Sequence, residues 1–131
     1  MAGTFPITPQ STDTATGAHL HVTAQRRHDC VVAVVHGEID MSNVSSFEAE
    51  LAAHASQPWL VVDMSDVQFC SIAGARLLQQ TAVRATATGQ RFEVVVNRAL
   101  ARLLDTTGLA DGITRTTSGA VDVGVKHLLH Q

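Results

Sequence analysis

The chain has 131 residues, 45% of them hydrophobic, and a formal net charge of −3. This length suits one domain that buries its own core, and no apolar run approaches the ~20 residues that span a bilayer. The negative charge, with no basic cluster beyond Arg26 and Arg27, argues against a nucleic-acid-binding protein. Residues 1–19 lack the charged start and apolar core of a secretory signal, so we expect a cytoplasmic protein.

The first part of the chain has little to bury. Residues 1–17 are rich in Thr, Ser, Pro and Gly, so we predict a disordered tail over residues 1–19 and one domain over residues 20–131. Alternating residues in Leu20–Ala24 and the β-branched run Cys30–His36 are separated by a polar turn, which predicts a β-hairpin.

A helix is predicted after this hairpin. Gly37-Glu38-Ile39-Asp40 ends the second strand, and Ser42 or Asn43 is then a suitable N-cap. The residues on one side of this helix are Val44, Phe47, Leu51 and His54.

The strongest pattern lies in the middle of the chain. The run Leu60–Val62 has no polar alternation, which predicts a central strand covered on both faces. A polar turn is expected after Asp63, and Ser71 is placed to cap a helix whose apolar residues, including Ala75, Leu78, Ala82 and Val83, recur with a period near 3.6.

The rest of the chain continues the alternation of strands and helices. We predict a strand over Phe92–Val96, a short helix over Arg98–Asp105, a short strand over Ile113–Thr116 and a closing helix over Ala120–Leu129. The expected fold is α/β: a mixed, mostly parallel sheet of about five strands with about four helices.

Two motifs make the chain resemble a known family. Gly37-Glu38-Ile39-Asp40 and the string from Asp63 through Phe69 to Gly74 resemble the STAS domain of bacterial anti-sigma-factor antagonists. The resemblance extends from about residue 20 to near the C-terminus. It implies a single STAS domain that binds an anti-sigma factor, typically an ATP-binding kinase, and so releases a sigma factor for transcription.

The resemblance also implies a partner-binding surface where the two motifs meet. Its candidate contact residues are Asp40, Ser42, Cys70, Ser71, Ile72, Ala73, Gly74 and Ala75. Small residues let a partner approach the helix start closely, and an exposed Ile72 would add apolar contact. The alternatives are structural, with Asp40 and Asp63 as turn or strand-end acids and Ser71 as a helix cap.

The phosphorylation switch of this family is altered in the sequence. In the family, the kinase modifies a Ser or Thr at the helix start, just after an Asp and shortly before a Gly. Aligned on Phe69 and Gly74, the Asp position holds Ser71, the acceptor position holds Ile72 and the next hydroxyl position holds Ala73. Either Ser71 is the phosphorylation site one residue earlier, or the protein binds its partner without this switch. A phosphate would add close to two negative charges at this point.

Catalytic and metal-binding patterns are missing from the sequence. No nucleophile has a base and an orienting acid at a recognisable spacing, so we do not expect an enzyme. The pairs His19 with His21 and His127 with His130 have no third ligand at a fixed spacing. We therefore expect solvated surface histidines, no metal and no cofactor.

The two cysteines, Cys30 and Cys70, are predicted at opposite ends of the sheet, too far apart for a disulfide. Cys70 is either a small packing residue or, beside a helix N-terminus, a reactive thiol with a lowered pKa. The alternative function is accordingly a STAS module that senses a small ligand or redox state, or that scaffolds a signalling complex.

Overall fold

Six strands and three helices make up the part of the chain that the computed structural model describes, residues 12–17 and 19–117. The strands are β1 (Thr12–Gly17), β2 (Leu20–Arg27), β3 (Cys30–Ile39), β4 (Trp59–Cys70), β5 (Arg91–Val96) and β6 (Thr114–Thr117). The helices are α1 (Val44–Ala53), α2 (Ile72–Thr88) and α3 (Arg98–Thr107). A hairpin followed by alternating helices and strands was predicted, and the α/β fold is confirmed.

All six strands lie in one sheet, in the order in which they occur in the chain. The pairs β1–β2 and β2–β3 are antiparallel, whereas β3–β4, β4–β5 and β5–β6 are parallel. Each parallel connection moves one strand further in the same direction, so right-handed crossovers place the three helices on one face. The starts of α2 and α3 therefore lie at the same edge, where the parallel strands end.

The N-terminal part of the sheet differs from the sequence prediction. We predicted a tail through residue 19, but Thr12–Gly17 forms a sixth strand, with Thr12 opposite Ala24 and Gly17 opposite Leu20. Composition misses such a strand because its backbone N–H and C=O groups can pair with the edge of β2 without apolar side chains. Residues 1–11 and the predicted closing helix over Ala120–Leu129 lie outside the described residues.

The main core fills the space between the sheet and the helices. Leu60, Val62 and Met64 of β4 point into it and are fully buried, as is Leu78 of α2. A smaller cluster on the opposite face of the sheet contains Cys30, Val32, Val61 and Val95. Leu60–Val62 is therefore buried on both faces of the sheet, as its unbroken apolar pattern indicated.

Strand β4 is longer than the sequence indicated. The polar turn expected after Asp63 is absent; β4 continues to Cys70, and its pairing with β3 continues to Ile39 opposite Cys70. The register between β3 and β4 shifts twice, and at each shift β4 has one residue more than β3. The extra residue at the second shift is Gln68. Strand β5 pairs only with Trp59–Asp63, so the end of β4 projects beyond it.

Helix α2 is capped at both ends. Ser71 is its N-cap, as predicted, and Gly89 ends it in the left-handed conformation with φ 82°. Its buried face includes Ala75, Leu78 and Ala82, but Val83, expected on that face, is exposed.

Candidate functional site

The ends of β3 and β4 bring the two sequence motifs to one edge of the sheet. Ile39 lies opposite Cys70, and the Ser71 N–H donates to the Ile39 carbonyl oxygen at 2.8 Å. Residues 40–42 after β3 and residues 69–73 at the junction of β4 and α2 thus form one surface, which we call the rim.

The glycine of the first motif is required by the backbone. Gly37 has a φ of +99°, and a Cβ placed on it would overlap the His19 carbonyl oxygen. This close approach lets the Glu38 N–H donate to the same carbonyl oxygen at 2.8 Å. Gly37 therefore fixes the path of β3 just before it reaches the rim.

A compact hydrogen-bonded loop holds the β3 side of the rim. The Asp40 carboxylate accepts from the Ser42 N–H at 2.9 Å and from its hydroxyl at 2.6 Å, and these bonds lower the pKa of Asp40. The buried Asn43 side chain accepts from the Asp40 N–H and donates to the Glu38 carbonyl oxygen, both at 2.9 Å. Asn43 occupies the N-cap position of α1, but its side chain bonds this loop instead of the helix.

Ser71 serves as a structural cap on the β4 side of the rim. It is half-buried, and its hydroxyl oxygen accepts from the Gly74 N–H at 3.2 Å. A phosphate on Ser71 would replace this capping bond. Phosphorylation of Ser71 was one of two alternatives left by the sequence, and the structure does not test it.

Small residues at the start of α2 pack inward. Gly74 and Ala75 are buried, so a partner cannot reach them at the surface, although we predicted contact there. A Cβ on Gly74 would lie 2.8 Å from both Cys70 Sγ and Ile39 Cγ2. Among the predicted contact residues, Ser42 and Ile72 are exposed, whereas Asp40, Cys70, Ser71 and Ala73 are half-buried.

Both cysteines are free thiols, as predicted. Burial raises the pKa of Cys70 to about 11. One alternative from the sequence was a lowered pKa, because Cys70 lies beside a helix N-terminus. The shift is in the opposite direction. The Cys30 thiol also has its pKa raised to about 11, chiefly by burial and then by Asp29. Cys70 is a half-buried residue of the rim that packs against the main core.

Exposed apolar side chains distinguish the rim from the rest of the described surface. Four large apolar side chains are exposed in the described residues, and three of them are at the rim: Met41 (76%), Phe69 (53%) and Ile72 (51%). Met41 and Phe69 were not among the predicted contact residues. Met41 was readable as an apolar residue within a polar turn, whereas Phe69 was not, because the register shift at Gln68 alters the alternation of β4.

Neither a cluster of metal ligands nor a membrane-spanning helix is present in the described part of the chain. Within residues 12–17 and 19–117, no three His, Cys, Asp or Glu side chains lie close enough together to hold a metal ion. No helix in those ranges has the length and hydropathy to cross a bilayer.

Comparison with known proteins gives a family match. The family model described as "Mlab, STAS domain" matches residues 22–116. A comparison with curated proteins finds no match.

Among solved structures, an anti-sigma factor antagonist from Mycobacterium paratuberculosis is similar at 25% identity and a TM-score of 0.71, covering 84% of this chain and 94% of that one. Moorella thermoacetica RsbS is similar at 23% identity and a TM-score of 0.65, covering 83% and 95%. The phosphorylated form of the Bacillus cell fate determinant SpoIIAA shares the fold at 14% identity and a TM-score of 0.56, covering 79% and 98%. The family match, the order of strands and helices and the meeting of both motifs at one rim agree: the chain belongs to the STAS domain family.

Proposed function

We propose that this protein is an anti-sigma-factor antagonist: it binds a kinase-type, ATP-binding anti-sigma factor through the rim and so releases a sigma factor for transcription. The observation that carries the proposal is the exposure of Met41, Phe69 and Ile72 together at the rim. Apolar anchors of this kind, surrounded by polar groups, are typical of protein-binding surfaces. The similar protein from Mycobacterium paratuberculosis is described as an anti-sigma factor antagonist, which supports the same role.

The proposed interaction has no phosphorylation switch at the helix start. Ile72 occupies the position of the family's acceptor hydroxyl and cannot accept a phosphate. The neighbouring Ser71 is half-buried and its hydroxyl oxygen caps α2, which supports a structural role for that hydroxyl. The protein then acts by binding, not by catalysis, and its apolar Ile72 contributes to the contact directly.

The sequence also left open a STAS module that senses a small ligand or redox state, or that scaffolds a signalling complex. The pKa of Cys70, raised to about 11, keeps that thiol protonated near neutral pH and argues against redox sensing through a thiolate. The antagonist role is therefore the better supported function.

A pair of matched substitutions on α2 tests the proposal. Ile72 and Val83 are both exposed apolar residues of this helix, but only Ile72 is at the rim. In titrations against the kinase-type anti-sigma factors of the same organism, Ile72→Asp should weaken binding by about tenfold or more, because an apolar anchor becomes a charge. Val83→Asp should leave the affinity unchanged. Equal effects of the two substitutions, or no binding by the unmodified protein, would contradict the proposal.

A further inference from the structure

One side of the end of β4 has no paired strand, because β5 is shorter than β4. Pairing between β4 and β5 stops at Asp63 opposite Val95, while β4 continues to Cys70. The Asn97 side chain supplies hydrogen bonds to part of this unpaired side. Its amide nitrogen donates to the Ser65 carbonyl oxygen at 3.3 Å and to the Val67 carbonyl oxygen at 2.8 Å. Beyond Val67, no described strand pairs with this side of β4.

A groove lies between this part of β4 and the first turns of α3. Its volume is about 210 Å³, and its apolar lining comes from Val67, Phe69 and Cys70 of β4 and from Ala99, Leu100 and Leu103 of α3. Cavities that bind small ligands usually measure about 300–1,000 Å³. The smaller volume, with the exposed Phe69 in its lining, suits an apolar side chain from a bound protein better than a separate small molecule.

Two exposed arginines directly precede lining residues of α3, Arg98 before Ala99 and Arg102 before Leu103, although the whole chain has a net charge of −3. Arg98 and Arg102 are exposed and four residues apart on α3, so they lie on the same side of that helix.

Arg98 and Arg102 are available to a partner. Neither forms an ion pair with another side chain of residues 19–117, whereas Arg91 and Arg115 are paired with Glu93 and Asp105. None of the described residues that line the groove carries a carboxylate. Asp105 lies one turn after Arg102 on α3, but its carboxylate accepts a hydrogen bond from Arg115 at 2.7 Å. Asp105 is therefore paired with Arg115 and not with Arg102.

We propose that this groove receives a protein segment that carries an apolar side chain flanked by acidic residues. The apolar side chain fills the groove, and the acidic residues pair with Arg98 and Arg102. This inference rests on the proposed function, because it extends the rim toward α3 and defines which anti-sigma factors the rim accepts. Charge complementarity of this kind mainly sets association rate and partner choice.

A charge-reversal experiment separates this inference from the proposed function. The double substitution Arg98→Glu with Arg102→Glu is compared with Arg26→Glu, an exposed arginine at the opposite edge of the sheet. Titrations use an anti-sigma factor that binds the unmodified protein. We expect the double substitution to weaken binding about tenfold or more at about 50 mM salt, and less at about 500 mM salt because salt screens exposed charges. Arg26→Glu should have no effect.

A second variant tests the groove itself. Ala99 is exposed and lines the groove, so Ala99→Trp should fill the groove and weaken binding without unfolding the protein. Ala87→Trp, exposed at the far end of α2, is the control. Unchanged affinity for both the Arg98 and Arg102 double variant and Ala99→Trp would overturn the groove while leaving the rim intact. If no anti-sigma factor bound the unmodified protein in the first place, both proposals would be overturned.

Discussion

Gly74 shows how closely the first turn of α2 packs beneath the rim. A Cβ on this residue would lie 2.8 Å from both Cys70 Sγ and Ile39 Cγ2. We expect Gly74→Ala to lower the free energy of unfolding by about 1–3 kcal/mol, the usual effect of overpacking. Urea denaturation measures the change.

The double variant Gly74→Ala with Cys70→Ala is the control for this prediction. Removing the Cys70 sulfur takes away one of the two close contacts, so the double variant should lose less stability than the two single changes added together. Additive losses, or a Gly74→Ala protein as stable as the unmodified one, would show that the packing is looser than described.

Individual residues of the rim differ in how far the sequence predicted them. The cap at Ser71 follows from residue type and spacing, and the structure confirms it. Ile72 was expected as a contact residue only through the family resemblance, and its side chain is exposed. Burial of Gly74 and Ala75 depends on where α2 sits over β3 and β4, which spacing along one helix cannot reveal. The exposure of Phe69 depends on the register shift at Gln68, which is a property of two paired strands. The alternation of residues within β4 therefore could not predict it.

At the level of elements, Asn97 joins β4 to α3. Its amide nitrogen donates to the Ser65 and Val67 carbonyl oxygens, and its amide oxygen accepts from the Leu100 N–H at 2.8 Å. Asn97→Ala removes all three bonds and should destabilise the protein by about 2–3 kcal/mol in urea denaturation, since a lost cap alone contributes about 1 kcal/mol.

Asn97→Ser separates the two roles of this residue. Serine is also a preferred cap but carries no amide donor, so its loss of stability should be smaller than that of Asn97→Ala yet measurable. If serine restored full stability, the bonds from the Asn97 amide to the Ser65 and Val67 carbonyl oxygens would contribute nothing to the free energy of unfolding. Other contacts would then have to hold α3 beside the end of β4.

The same elements show what sequence patterns predict well. Every strand and helix predicted within the described residues is present, because apolar period, capping residues and glycines mark them locally. The polar segment after Asp63 was predicted as a turn but is the second half of β4, paired with β3. Long-range pairing overrides local polarity there, as it does for β1.

For the molecule as a whole, pH should change stability through His54. Burial, and then the charge of Arg26, lower the pKa of this side chain below its usual 6.5, so the folded state favours neutral histidine. The unfolded chain binds the proton more readily, and stability should fall as the pH drops below about 6.5. We expect a lower urea midpoint at about pH 5.5 than at about pH 7.5.

His54→Gln should reduce this loss, because glutamine does not titrate. The Gln90 bond to residue 54 uses the backbone carbonyl oxygen and is retained in the variant. An equal fall in both proteins would assign the pH dependence to other groups, and a rise in stability on acidification would contradict the sign of the shift.

We propose that the rim binds an anti-sigma factor without being phosphorylated. The most direct measurement is a titration of the unmodified protein against the kinase-type anti-sigma factors of its own organism, with ATP present and the intact mass recorded at each point. We predict saturable binding to one of them and no added phosphate, because Ile72 stands at the acceptor position. Addition of a single phosphate, lost in Ser71→Ala, would show a shifted switch, and absence of binding to every candidate would contradict the antagonist role itself.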